Sequence, residues 1–227
     1  MQENVTRPAK PLFARAVDWL DQRYRVRSVW KSIAEHEVPA HVNWMYCLGG
    51  ITFFLFGVQA ITGIIMAFYY KPNPDQAYQS VQFIVYQLPL GWLVRTAHRW
   101  AADGMVLMVI LHMLRVFFTG SYKRPRQLNW VVGVFLFVIT FTFAITGFLL
   151  PWDQQAYWGT SQLLGVVQST PVVGPILAAV LRGGAAVGAA TLRRFFALHV
   201  MALPVVILVF LAVHFVVIRR QGISGPL

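Results

Sequence analysis

Two apolar runs long enough to cross a bilayer each carry a histidine near either end, and this pairing limits the fold more than any other feature of the chain. Arg95 to Arg115 (RTAHRWAADGMVLMVILHMLR) holds His98 and His112, and Phe195 to Ile218 holds His199 and His214. Fourteen positions separate the first pair and fifteen the second. An α-helix rises about 1.5 Å and turns about 100° per residue, so the partners lie roughly 21 and 22 Å apart along the axis and about 40° and about 60° apart around it. Each pair therefore shares one face of its helix. Two such helices, side by side and running the same way, set His98 against His199 and His112 against His214 at two depths.

Ionisable side chains inside hydrocarbon are costly and as a rule face other protein groups. A single histidine there reads as one half of a polar pair or as part of a pathway. Four at matched intervals read instead as axial ligands of two stacked bis-histidine haems, because imidazole binds haem iron through a ring nitrogen.

The composition agrees with a membrane location. Of 227 residues, 57% are hydrophobic and 12% charged, which excludes an ordinary soluble domain. A net charge of +11 would suggest nucleic acid in a soluble protein. Here the basic residues flank apolar runs, where they act as topology signals, so no nucleic-acid partner is expected. The one cysteine, Cys47, excludes an internal disulfide, and CxxCH is absent. The opening MQENVTRPAKPLFARAVDWL lacks the apolar centre of a cleavable signal.

Residues 1–12 are polar, contain Pro8 and Pro11, and are expected to form a disordered tail. Residues 13–34 mix Val17, Trp19, Leu20 and Trp30 with Arg15, Arg23, Arg25, Arg27 and Lys31. They predict an amphipathic helix whose apolar face meets lipid or a partner subunit, the basic bias favouring lipid. Residues 35–227 form one membrane domain with four spans, at about 44–70, 96–120, 130–150 and 195–218, each long enough for about 30 Å of hydrocarbon. The segments 73–94 and 154–192 read as loops and short surface helices. The fold class is thus all-α: a four-helix transmembrane bundle enclosing two stacked b haems, with an amphipathic surface helix at the amino end.

Lys123, Arg124 and Arg126 between the second and third spans, and Arg219 and Arg220 after the fourth, place both termini on the cytoplasmic side. Alternating spans then make the second and fourth co-directional, as the paired histidines require. Gly49 and Gly63 in the first span, and Gly133 and Gly147 in the third, repeat the fourteen-residue interval of His98 and His112. Small residues at those depths leave room for a flat macrocycle, although glycine also serves close helix packing. Arg95 and Arg115, each within a turn of a histidine, suit either haem propionates or lipid headgroups.

The stretches VPAHVNWMYCLGGITFF, RTAHRW, LHMLRVFFTGSYKRPRQLNWVVGV, TGFLLPWDQ, TLRRFFALH and HFVVIRRQGISGPL together resemble the cytochrome b6 family, the amino-terminal half of cytochrome b in cytochrome bc complexes. The resemblance runs from about Trp19 to Leu227. It implies that His98 and His199 ligate a low-potential haem b near the outer face, and His112 and His214 a high-potential haem b near the cytoplasmic face. It also implies a thioether from Cys47 to a third, c-type haem, with Arg219 near its propionates. Arg95 would pair with the outer haem's propionates, and Arg115 and Trp130 with the inner one's.

On this resemblance the chain is the electron-transfer subunit of a quinol:cytochrome c or plastocyanin oxidoreductase, working in a proton-translocating Q cycle of a respiratory or photosynthetic chain. The sequence reaches GISGPL after four spans without the PEWY motif, so a separate subunit IV-like protein is expected to carry it. A Rieske iron–sulfur protein, a c-type cytochrome, membrane lipids and a dimeric complex complete the implied partners. The expected location is a bacterial cytoplasmic or photosynthetic membrane. Two alternatives stay open: a dihaem anchor of a dehydrogenase or hydrogenase, and, from another class, a transport or structural subunit without redox chemistry.

Overall fold

The computed structural model describes residues 11–35, 42–222 and 224; of the tail expected over residues 1–12, residues 1–10 lie outside them and Leu12 opens a helix. Among the described residues the regular structure is helical throughout. The chain divides into two units, Met1–Val42 and Asn43–Leu227.

The first unit holds α1 (Leu12–Tyr24) and α2 (Val26–Ala34) in place of the single helix expected over residues 13–34. Arg25 parts them at φ 50° and ψ 41°, left-handed values that a residue with a Cβ seldom adopts. Its N–H still bonds the Asp21 carbonyl at 2.9 Å, closing α1. Across the break, Arg27 pairs with Asp18 and donates its backbone N–H to Asp21 Oδ1 at 2.7 Å. The same acidic residues thus bind both sides of the bend.

In the second unit, a 3₁₀ turn at Trp44–Cys47 leads into α3 (Leu48–Ala67), and Asn43 caps the turn by accepting the Met45 N–H at 3.0 Å. After α4 (Ala77–Tyr86) come α5 (Gly91–Phe118) and α6 (Gln127–Leu149). The short helices α7 (Gln154–Gln168) and α8 (Gly174–Arg182) precede α9 (Ala189–Ala197). A π-turn at Leu198–Ala202 joins α9 to α10 (Leu203–Gln221) in one continuous rod.

Four segments are long and apolar enough to span a membrane: Trp44–Ala67, Gly91–Phe118, Gln127–Leu149 and Ala189–Gln221. Their outward faces keep large apolar side chains exposed, among them Phe54, Ile61, Leu107, Val138 and Val205, as a lipid-facing surface requires. Hydroxyls on these spans are satisfied locally. Thr52, Thr62, Thr140 and Thr146 each donate to the carbonyl four residues back, at 2.6–2.9 Å. The chain is a multi-pass membrane protein.

Two apolar clusters hold the second unit together. One, built on Met105, Val132, Leu136, Ile139 and Ile207, fills the middle of the bundle. The other, with Ala77, Leu149, Leu164, Leu192 and Phe195, locks the short helices onto one end. There Tyr70 donates its hydroxyl to the Leu150 carbonyl at 2.7 Å, tying the exits of α3 and α6 together. At the opposite end Ser121 and Ser224 share a 2.7 Å hydrogen bond, and Gln221 Nε2 donates to the Pro125 carbonyl at 3.1 Å.

Candidate functional site

The predicted pairing of histidines is present in the structure. The rings of His98 on α5 and His199 in the π-turn stand 6.4 Å apart between centres, with planes at 65°. Two imidazoles that share one metal ion, each with about 2.0 Å to the metal and about 1.1 Å from nitrogen to ring centre, stand about 6.2 Å apart. The gap is within about 0.2 Å of that of two rings with a metal ion between them. One level along, His112 of α5 and His214 of α10 lie within electrostatic reach of each other.

The four glycines show which helix walls hold the rings. A Cβ on Gly63 would meet His98 Cε1 at 3.2 Å, and one on Gly49 would meet His112 Cε1 at 3.0 Å. Opposite, a Cβ on Gly147 would meet His199 Cε1 at 2.7 Å, and one on Gly133 would meet His214 Cε1 at 3.9 Å. Each glycine therefore backs one imidazole: α3 supports the two rings of α5, and α6 supports the ring of the π-turn and that of α10. The order of these contacts fixes the topology. Gly49 precedes Gly63 along α3 but lies beside the later histidine of α5, so the two helices are antiparallel, and α6 and α10 are antiparallel for the same reason.

The two levels differ in how the Nδ1 atoms are met. Thr62 Oγ1 lies 2.8 Å from His98 Nδ1, and Thr146 Oγ1 lies 3.0 Å from His199 Nδ1. Each hydroxyl donates its own proton along its helix, to the carbonyls of Val58 and Thr142 at 2.6 and 2.7 Å. Its lone pairs therefore face the ring and accept the Nδ1–H, which leaves the Nε2 lone pair of each histidine free for a metal. The backbone of Gln59 and of Phe143, three residues before the two threonines, also lies near these rings. At the other level His112 Nδ1 and His214 Nδ1 are buried without a hydrogen-bond partner among the described residues.

The π-turn reconciles the unequal histidine intervals. The Leu203 N–H bonds the Leu198 carbonyl five residues back, which absorbs one residue relative to an α-helix. The fifteen residues from His199 to His214 then act as fourteen, and the two pairs share one register. Neither the turn nor the threonines were among the sequence-derived candidates. The repeated triplet Ile61-Thr62-Gly63 and Ile145-Thr146-Gly147 was the available signal for the latter.

Arg115 is 9% exposed and places its guanidinium carbon 3.5 Å from the centre of the Tyr46 ring, with Nε and Nη2 unpartnered among the described residues. A buried cation with unmet donors suits an anionic ligand. Arg95, one turn before His98, is half-buried in the electrostatic reach of Asp153, the N-cap of α7. Trp130 packs on Tyr122 at 5.5 Å between ring centres, and Arg219 is exposed on the last turn of α10. Cys47 is exposed, and its neighbours Trp44, Met45 and Leu48 line, with Leu111, Leu114 and Arg115, an apolar cleft of about 180 Å³.

Among the described residues no group of three or more His, Cys, Asp or Glu side chains gathers to hold a metal ion. Two opposed imidazoles would supply two nitrogen donors to one metal ion, and a macrocycle would supply the rest of such a set. The donor set, the 6.4 Å gap and the unmet Arg115 donors all fit haem.

The chain has relatives among known proteins. Residues 33–222 match the sequence family described as Cytochrome b/b6/petB. Over 214 residues, 94% of this chain and 100% of the relative, the sequence is 51% identical to a cytochrome b6 of Synechococcus elongatus. It is 50% identical, over the same shares, to one of the alga Stigeoclonium helveticum. Among solved structures it is similar to a chain of a hyperthermophilic respiratory Complex III, with TM-score 0.83 and 33% identity. That match covers 92% of this chain and 56% of the other.

Proposed function

The chain belongs to the cytochrome b/b6 family, and on that basis we propose that His98 and His199 hold one b-type haem and His112 and His214 a second. The protein is an electron-transfer core subunit of a bc/b6f-type complex. The observation that carries the haem reading is the 6.4 Å gap between the His98 and His199 rings. Bound between such rings, haem iron supplies a one-electron redox centre.

The chain's own part is placement. Fourteen residues of α5 separate the two ligand levels by about 21 Å, and the Met105–Val132–Leu136–Ile139–Ile207 cluster fills the layer between them with apolar atoms. Gly49, Gly63, Gly133 and Gly147 let the imidazoles lie flush against α3 and α6. Arg115 offers its two free donors, and Arg95 its charge, to haem carboxylates.

The finer reading is a quinol as electron donor, with a Rieske iron–sulfur protein and a c-type cytochrome or plastocyanin as acceptors. A subunit IV-like chain bearing PEWY, within a dimeric complex, completes the assembly. The location is a bacterial cytoplasmic or photosynthetic membrane with both termini cytoplasmic, so that the His98–His199 level is the outer one. The basic, apolar pattern of α1 and α2 suits the lipid interface. Cys47, exposed beside the apolar cleft of about 180 Å³, is the attachment point for a c-type haem, with Trp130 and Arg219 as further propionate neighbours. Dithionite-minus-oxidised spectra of the purified complex test the core of this reading: two b-type centres are expected, and no b-type α-band would overturn it.

A further inference from the structure

We infer that Thr62 and Thr146 are positioning residues that hold the outer haem at a lower reduction potential than the inner one, by accepting the Nδ1–H of His98 and of His199. This rests on the haem reading above. Both hydroxyls are committed as donors to their own helices, to Val58 and Thr142, and so act on the rings only as acceptors. An imidazole whose Nδ1–H is hydrogen-bonded is a more basic ligand through Nε2. A more basic axial ligand favours ferric over ferrous iron and lowers the potential. In a low-dielectric interior such a bond is stronger than it would be in water.

The inner level shows the opposite arrangement at equivalent places. One residue before each ring-backing glycine, Thr62 and Thr146 at the outer level are replaced by Leu48 and Val132 at the inner one. Both are buried and apolar, and the Nδ1 atoms of His112 and His214 have no partner among the described residues. The two levels therefore have the same ligand type and the same glycine backing, and differ in whether a hydroxyl one residue before the glycine meets Nδ1. The Gln59 and Phe143 backbone groups stay near the outer rings when a threonine is lost, so each hydroxyl sets part of the difference.

Potentiometric titration of the b bands in the purified complex tests this. Thr62→Val and Thr146→Val keep the side-chain shape without the hydroxyl. They are expected to shift the outer midpoint upward, additively when combined, while the inner midpoint stays fixed and Thr→Ser at either site restores it. An outer haem that is retained with an unmoved midpoint overturns the inference. Should the valine variants lose that haem, the reciprocal changes decide: Leu48→Thr and Val132→Thr are expected to lower the inner midpoint, and no shift overturns the inference. If the unsubstituted complex has no b-type band, the haem reading itself fails.

Discussion

Gly147 and His199 are in closer register than any other glycine–histidine pair of the bundle: a Cβ on the glycine would stand 2.7 Å from the imidazole Cε1. Real side chains do not approach so closely, so Gly147→Ala is expected to push the His199 ring off its axis. Overpacking of this kind costs about 1–3 kcal/mol. The outer b band should shift or vanish in difference spectra. Gly133→Ala, with 3.9 Å to His214, should leave the inner band in place.

His98→Ala is expected to remove the outer haem and spare the inner one, since α5 keeps His112 about 21 Å away. Pyridine haemochrome content should fall by one haem per chain, and the remaining centre should titrate as the higher-potential component. Loss of the higher-potential centre alone would reverse the depth assignment.

The π-turn gives an unequal response to changes in residue number. Deleting Met201 removes the surplus residue, returns Leu198–Ala202 to α-helical turns and leaves His199 and His214 fourteen apart, as on α5. Both haems should persist. Inserting an alanine after Leu208 turns everything beyond it by about 100°, and the inner haem should be lost. Haem quantification on the two variants tells these outcomes apart.

Cys47→Ser tests the third haem. The unsubstituted chain should retain peroxidase-stained haem on a denaturing gel, and the variant should not, while both b bands survive. A wild-type band without stain would leave two haems only.

Much of this arrangement was legible in the sequence, because imidazoles in hydrocarbon have few uses and their spacing along two runs encodes depth. The spans themselves were also clear, but two begin earlier than hydropathy suggests, at Gly91 and Ala189 rather than near residues 96 and 195. Arg95, Arg193 and Arg194 dilute the apolar signal there while the helical backbone continues. The break at Arg25 left no trace, since neither Gly, Pro nor Asn marks it, and the Asp18 and Asp21 contacts to Arg27 that support it are tertiary. The glycine interval was visible, yet only coordinates show that an imidazole edge takes the vacated space. The difference between about 40° and about 60° of rotation hinted at a surplus residue without locating it.

The triplet shared by α3 and α6 makes the outer site a clasp with two nearly equivalent jaws, each offering a hydroxyl and a bare backbone patch to one ring. A metal ion held there would meet a hydroxyl-backed ring from either side. Loss of either hydroxyl should consequently leave a similar spectroscopic fingerprint, whereas a methyl added at either glycine, at 2.7 or 3.2 Å from its ring, should not.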